Sequence, residues 1–109
     1  MTSVTIPDSV TSIGVYAFFA CTSLKNVIIG NGVTSIEECA FWYCTSLKEV
    51  YCRATTPPIG GNYMFSYYDS EFNIIPIGCK IYVPIGSGTA YKTAEYWSSY
   101  AADIVEKEF

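Results

Sequence analysis

Apolar residues recur along this chain in a mixed rhythm that neither a helix nor a lone strand produces. Leu24-x-x-Val27-x-Ile29 alternates as a short strand with one buried face. Asn31-Gly32 ends it with a turn signal. Val33, Ile36, Ala40 and Phe41 then supply apolar anchors for a return path. The same rhythm occurs one unit earlier. Val4 to Asn26 reads VTIPDSVTSIGVYAFFACTSLKN and Val27 to Glu49 reads VIIGNGVTSIEECAFWYCTSLKE, an offset of 23 residues. Val50-Tyr51-Cys52 opens a third unit, and Met64-Phe65 falls close to the place of its Ala-Phe pair. Ile81-Tyr82-Val83-Pro84 resembles Val4-Thr5-Ile6-Pro7 but comes 31 residues after Val50, so this unit carries an insertion of 8 residues, expected within Ser66 to Gly78. Ile104-Val105 follows Ile81 after a further 23.

No such unit can bury its own apolar face, so the units must stack. The expected fold is a repeat solenoid with a parallel β-sheet on one face and Val4, Val27, Val50, Ile81 and Ile104 as its inward column. The expected organisation is a single domain over residues 1–109, with repeats at about 4–26, 27–49 and 50–80, and a terminal cap over 81–106. In the cap, Ala90, Tyr91, Ala94 and Trp97 fall at helical spacing, with Ser87 or Thr89 as the N-cap. Thr55-Thr56-Pro57-Pro58 and Gly60-Gly61 read as loop.

These residues resemble the BspA-like leucine-rich repeats of bacterial surface proteins. The resemblance rests on Ile13, Ala17-Phe18, Cys21, Leu24, Val27, Ile29, Val33-Thr34, Ile36, Ala40-Phe41, Cys44 and Leu47, and it spans almost the whole chain. It implies a short leucine-rich-repeat right-handed coil. It also implies a non-enzymatic module for protein recognition or adhesion at a bacterial cell surface or in secreted form. Lys80 to Pro84 followed by Ala90-Tyr91-Lys92 looks like the closing segment of that family.

Composition narrows the chemistry. The chain has 109 residues, half of them apolar and 15% charged, which is enough to bury one core. Its net charge of −4 argues against nucleic acid or an anionic membrane as partner. There is no histidine, so Ser-His-Asp triads, Cys-His dyads and His-ligated zinc are ruled out. No stretch is long enough for a membrane span, and no signal peptide is visible before Asp8. No catalytic, cofactor or metal-ligating residue is expected. Glu37-Glu38 reads as a solvated turn and Gly86-Ser87-Gly88 as the turn before a helix.

The cysteines number 5, an odd count. Cys21 and Cys44 share one repeat position and should lie about 5 Å apart. A ladder of small buried thiols is favoured there over a disulfide or metal pair. Cys39 and Cys52 occupy apolar slots, whereas Cys79 is expected to be accessible and to react first.

The remaining candidate is a binding surface. If the valine column points inward, Thr5, Ile28, Tyr51, Tyr82 and Val105 point outward, flanked by Lys25, Asn26, Lys48, Glu49 and Arg53. Exposed aromatics framed by charge suit a protein ligand. A glycan stacked on the tyrosines is the alternative, and a structural terminal module of a longer array is a third reading. Tyr63, Phe65, Tyr67, Tyr68 and Phe72 in the insertion form either a second candidate recognition surface or a local plug over the core. The open edge of the first strand is expected to make the chain self-associate as a homodimer through its N-terminal repeat.

Overall fold

The computed structural model describes residues 2–109. Five strands form one parallel sheet: β1 (Ser3–Ile6), β3 (Asn26–Ile29), β5 (Glu49–Cys52), β8 (Lys80–Pro84) and β9 (Ile104–Lys107), adjacent in that order. Between them lie β2 (Ser12–Ile13), β4 (Ser35–Ile36), β6 (Ser66–Tyr68), β7 (Ile74–Pro76), helix α1 (Gly88–Thr93) and a 3-10 helix (Trp97–Asp103). The register pairs Val4 with Val27, Val27 with Val50, Val50 with Ile81 and Ile81 with Ile104. This is the column the 23-residue repeat predicts, and the chain is a repeat solenoid. Val27, Val50 and Ile81 are fully buried.

Opposite the main sheet, β2 and β4 pair in parallel through Ser12–Ser35 and Ile13–Ile36. The turns that return to the main sheet are also joined coil to coil by backbone bonds. Phe18 N donates to Ala40 O at 2.8 Å, and Phe41 N donates to Met64 O at 3.0 Å. The third coil holds one extra residue before this rung, so Phe65 rather than Met64 stacks on Phe41. Tyr16, Cys39 and Tyr63 occupy the same bend and share φ values near 57°. Left-handed backbone costs a non-glycine residue about 1 kcal/mol or more, a cost that the coil-to-coil hydrogen bonds and the burial of the adjacent phenylalanines offset. One bend does require glycine: at Gly32 a Cβ would overlap the Asp8 carbonyl of the preceding coil.

The core is an aromatic stack running the length of the coil. Phe18 and Phe41 lie parallel with ring centroids 5.0 Å apart, and Phe41 and Phe65 are stacked at 5.3 Å. Phe65 is fully buried, so of the two readings of the insertion aromatics it takes the core one. The stack ends against the cap. Tyr100 meets Phe65 edge-on at 5.5 Å, and Tyr91 meets Trp97 at 5.0 Å. The polar tips of Tyr91 and Trp97 are satisfied by loop carbonyls. Tyr91 OH donates to Ala54 O at 2.6 Å and Trp97 Nε1 donates to Pro58 O at 2.8 Å.

The cap departs from the sequence reading in two respects. Helix α1 stops at Thr93; Ala94 is extended, Tyr96 has φ 68° and a 3-10 helix follows, so Ala90 to Trp97 is not one helix. The break lets Trp97 reach Pro58 while Tyr91 holds Ala54. Ser87 holds the N-cap position of α1, but its side chain makes no capping bond. Ser87 Oγ donates to Pro84 O, and Glu106 Oε2 of β9 accepts the Gly88 N–H at 2.8 Å. The insertion forms an antiparallel β6–β7 hairpin.

Phe41 has a ring on each side of it, whereas Phe18 is only half-buried. Phe41→Ala should therefore cost about 3–5 kcal/mol, and Phe18→Ala distinctly less. Urea unfolding of the two variants checks this, and equal losses would contradict the stack.

Candidate functional site

A period of two along each strand puts alternate residues on the outer face of the sheet. The register aligns Thr5, Ile28, Tyr51, Tyr82 and Val105 in one row across all five strands. Ile28, Tyr51 and Tyr82 are half-buried, and Thr5 and Val105 are exposed. Tyr51 and Tyr82 stack with centroids 5.1 Å apart. Partial burial, with Glu49 alongside, pushes the Tyr51 phenol above its ordinary value.

Polar groups border this row. Glu49 is partly covered; the Asn26 amide, oriented to satisfy its neighbours, donates to Glu49 Oε1 at 2.8 Å. Lys48 and Arg53 are exposed. Lys80 and Asp103 approach at 3.6 Å, an exposed pair worth little to stability. Two shallow clefts open on the row and share Ile28 and Tyr51. One, of about 420 Å³, includes Arg53, Lys107 and Phe109; the other, of about 390 Å³, includes Thr5, Asn26 and Glu49.

Sequence reasoning missed the C-terminal contribution to this face. Lys107 Nζ lies 6.0 Å from the Tyr82 ring centroid, and Phe109 stands edge-on to Tyr51 at 6.4 Å. The one available signal was the alternation that continues from Val105 to Lys107. Arg53 also borders a cleft of about 620 Å³ formed with Asn31, Thr55, Thr56 and Pro57, so it lines both openings.

Tyr67 and Tyr68 do not join this row. They sit on β6, where Tyr68 meets Trp42 edge-on at 5.0 Å and Tyr67 faces Tyr43 at 6.1 Å. Tyr43 OH donates to the Tyr68 carbonyl at 3.2 Å. Tyr63 and Phe72 extend the same group through Trp42 and Tyr68. Trp42, the centre of this second aromatic group, replaces Phe19 of the first repeat; that substitution was its only mark in the sequence.

All 5 cysteines are free thiols. Cys44 Sγ donates to the Phe18 carbonyl at 3.0 Å, within the turn ladder. Cys79 is 2% exposed, which corrects the expectation that it is accessible: it packs in the core beneath β8, and Cys21 is the most open of the five. Among the described residues, no three His, Cys, Asp or Glu side chains come together as a metal site. No helix among them is long and apolar enough to cross a membrane.

Stacked coils on a parallel sheet, with Ala-Phe and Cys in the first two turns and Met64-Phe65 in the third, define a leucine-rich-repeat solenoid. A family model described as BspA type Leucine rich repeat region (6 copies) matches residues 1–84, and the chain belongs to this family. That membership marks it as an interaction or adhesion type of module, in a family often associated with cell surfaces and generally without enzymatic activity. No curated protein matches the chain.

Burial pushes the Cys44 thiol up to about 11 and Cys79 up to about 12, and raises Cys52 further still. These thiols stay protonated in the folded chain while the unfolded chain ionises from about pH 8.5. The folded state then holds more protons, so stability falls as pH rises. The slope is about 1.4 kcal/mol per pH unit for each fully buried thiol. Urea midpoints should drop between about pH 9 and 11, and Cys52→Ala/Cys79→Ala should flatten the drop. A thiol reagent at neutral pH should modify Cys21 first. Early modification of Cys52 or Cys79 would contradict their burial.

Proposed function

We propose that this chain is a non-enzymatic recognition module that binds a protein ligand at a bacterial cell surface through the outer face of its sheet. The observation that carries the reading is the half-buried row Ile28–Tyr51–Tyr82, with its two tyrosines stacked and Lys48, Glu49 and Arg53 around it. Stacked, pre-positioned rings lose little conformational entropy on binding. They also present large amphipathic area, which is what anchors of protein interfaces supply. Arg53, Lys107 and Glu108 at one end and Lys48 and Glu49 at the other frame the rings with charge of both signs, which fixes the register of a ligand. A sugar stacked on Tyr51 and Tyr82 is the second reading, favoured by the same rings.

The outer edge of β1, which among the described residues pairs only with β3, is a further contact surface, and the homodimer through the first repeat would form there.

A protein array and a glycan array probed with the labelled domain test the main reading. Protein spots should bind the domain and lose at least about tenfold in signal with Tyr51→Ala/Tyr82→Ala, the range for truncating interface anchors. Protein spots that persist with the double variant would defeat the reading. Glycan spots that depend on the same two tyrosines would transfer it to the second.

A further inference from the structure

A separate cleft lies where the β6–β7 hairpin meets the cap, away from the tyrosine row. It has a volume of about 280 Å³, and its lining includes Asn62, Tyr63, Ser66, Tyr96, Ser99 and Tyr100. Ile74 and Pro76 of β7 complete it, and no charged side chain borders it.

Its innermost groups are two hydroxyls. Ser66 is 3% exposed and Tyr100 is 5% exposed. Phe65 N–H donates to Tyr100 OH at 3.1 Å, and Ser66 Oγ and Tyr100 OH lie 2.9 Å apart. The proton count does not close. Three donors, the Phe65 amide and the two hydroxyls, share two oxygens through two hydrogen bonds. Whichever hydroxyl donates to the other, one O–H proton finds no acceptor among the described residues. Burial keeps the Tyr100 phenol neutral well into alkaline conditions, so the spare donor is present at physiological pH. Each oxygen already has a partner in the pair, and the remaining proton is left for a group that enters the cleft both hydroxyls line.

The mouth is also built for a ligand. Tyr63 and Tyr96 bring aromatic rings, and Asn62 and Ser99 bring neutral donors and acceptors. Tyr96 lies at the break between α1 and the 3-10 helix, which places it at the mouth of the cleft. A ligand that fits must be uncharged, small enough for a cavity at the low end of ligand-pocket sizes, and amphipathic. It needs an apolar face for the rings and oxygen acceptors for the buried hydroxyl.

We propose that this cleft binds one pyranose ring of a glycan, with its C–H face on Tyr63 or Tyr96 and a ring or hydroxyl oxygen accepting the spare Ser66–Tyr100 proton. The site is independent of the sheet face and adds a second ligand class to the module.

Nitrogen–proton correlation spectra of the whole chain, titrated with methyl glucoside, methyl galactoside and methyl mannoside, test this, with glycerol as the control polyol. At least one glycoside should shift the amides of Asn62, Phe65, Ser66 and Tyr100 with a dissociation constant on the order of 1–10 mM, the range open to a ligand of that size. Ser66→Ala should weaken it about 3- to 10-fold, the loss of one neutral hydrogen bond. Tyr63→Ala should weaken it at least as much, and the exposed Ser99→Ala serves if Ser66→Ala disturbs the dispersion of the spectrum. Tyr51→Ala/Tyr82→Ala should leave it unchanged, which keeps this outcome distinct from that of the sheet-face reading. The proposal is overturned if no glycoside shifts these amides, if glycerol shifts them equally, or if binding survives both the Tyr63→Ala and the serine substitutions.

Discussion

A coil of 23 residues has no interior of its own, so each coil is stable only to the extent that the next one covers it. In this chain that coverage is organised by the rings of Phe18, Phe41 and Phe65, stacked at about 5 Å along the coil axis. The spacing matches the strand separation in the sheet opposite, so the stack and the sheet impose the same rise. The turn ladder between them, including the Phe18, Phe41 and Cys44 hydrogen bonds, locks the rotation of one coil on the next. The outer row of Tyr51 and Tyr82 is a consequence of this register: a slip by one residue would turn those rings inward and bring Val50 and Ile81 to the surface.

The same constraint explains the cap. Phe65 ends the phenylalanine stack and needs a cover that no further repeat supplies within the described residues. Trp97 and Tyr100 provide it, and the chain breaks α1 to do so. The hydroxyl and indole tips of Tyr91 and Trp97 then tie the cap to the Ala54–Pro58 loop. The cleft beside Tyr100 arises at this junction, where hairpin and cap meet without the regular spacing of the coils.

The sequence was most legible where a residue type repeats. The 23-residue offset made the inward column readable as far as Ile104, and period-two alternation made the outer row readable, because both follow from backbone geometry alone. It was least legible where contact is between unlike parts. Phe65 lay close to the Ala-Phe place yet among the aromatics of the insertion; the extra residue in the third coil is what places it on Phe41. Cys79 looked exposed because it lies outside the repeat pattern, yet its side chain turns under β8. Glu106 as the α1 cap, Phe109 beside Tyr51 and the Ser66–Tyr100 pair join residues 18 to 58 positions apart, with no motif to announce them. Tyr67 and Tyr68, expected on a second surface in the insertion, stand with Trp42 and Tyr43 there.

Native-state hydrogen exchange, resolved by residue, tests most directly whether coil-on-coil stacking holds this domain together. The amides of β3, β5 and Phe41, covered on both sides, should exchange only with global unfolding. Those of β1 and of the hairpin tip around Asp69 to Asn73 should exchange through local opening. That gradient would confirm that the stack is the stabilising element. Protection of β1 or of the hairpin tip equal to that of Phe41 would contradict it.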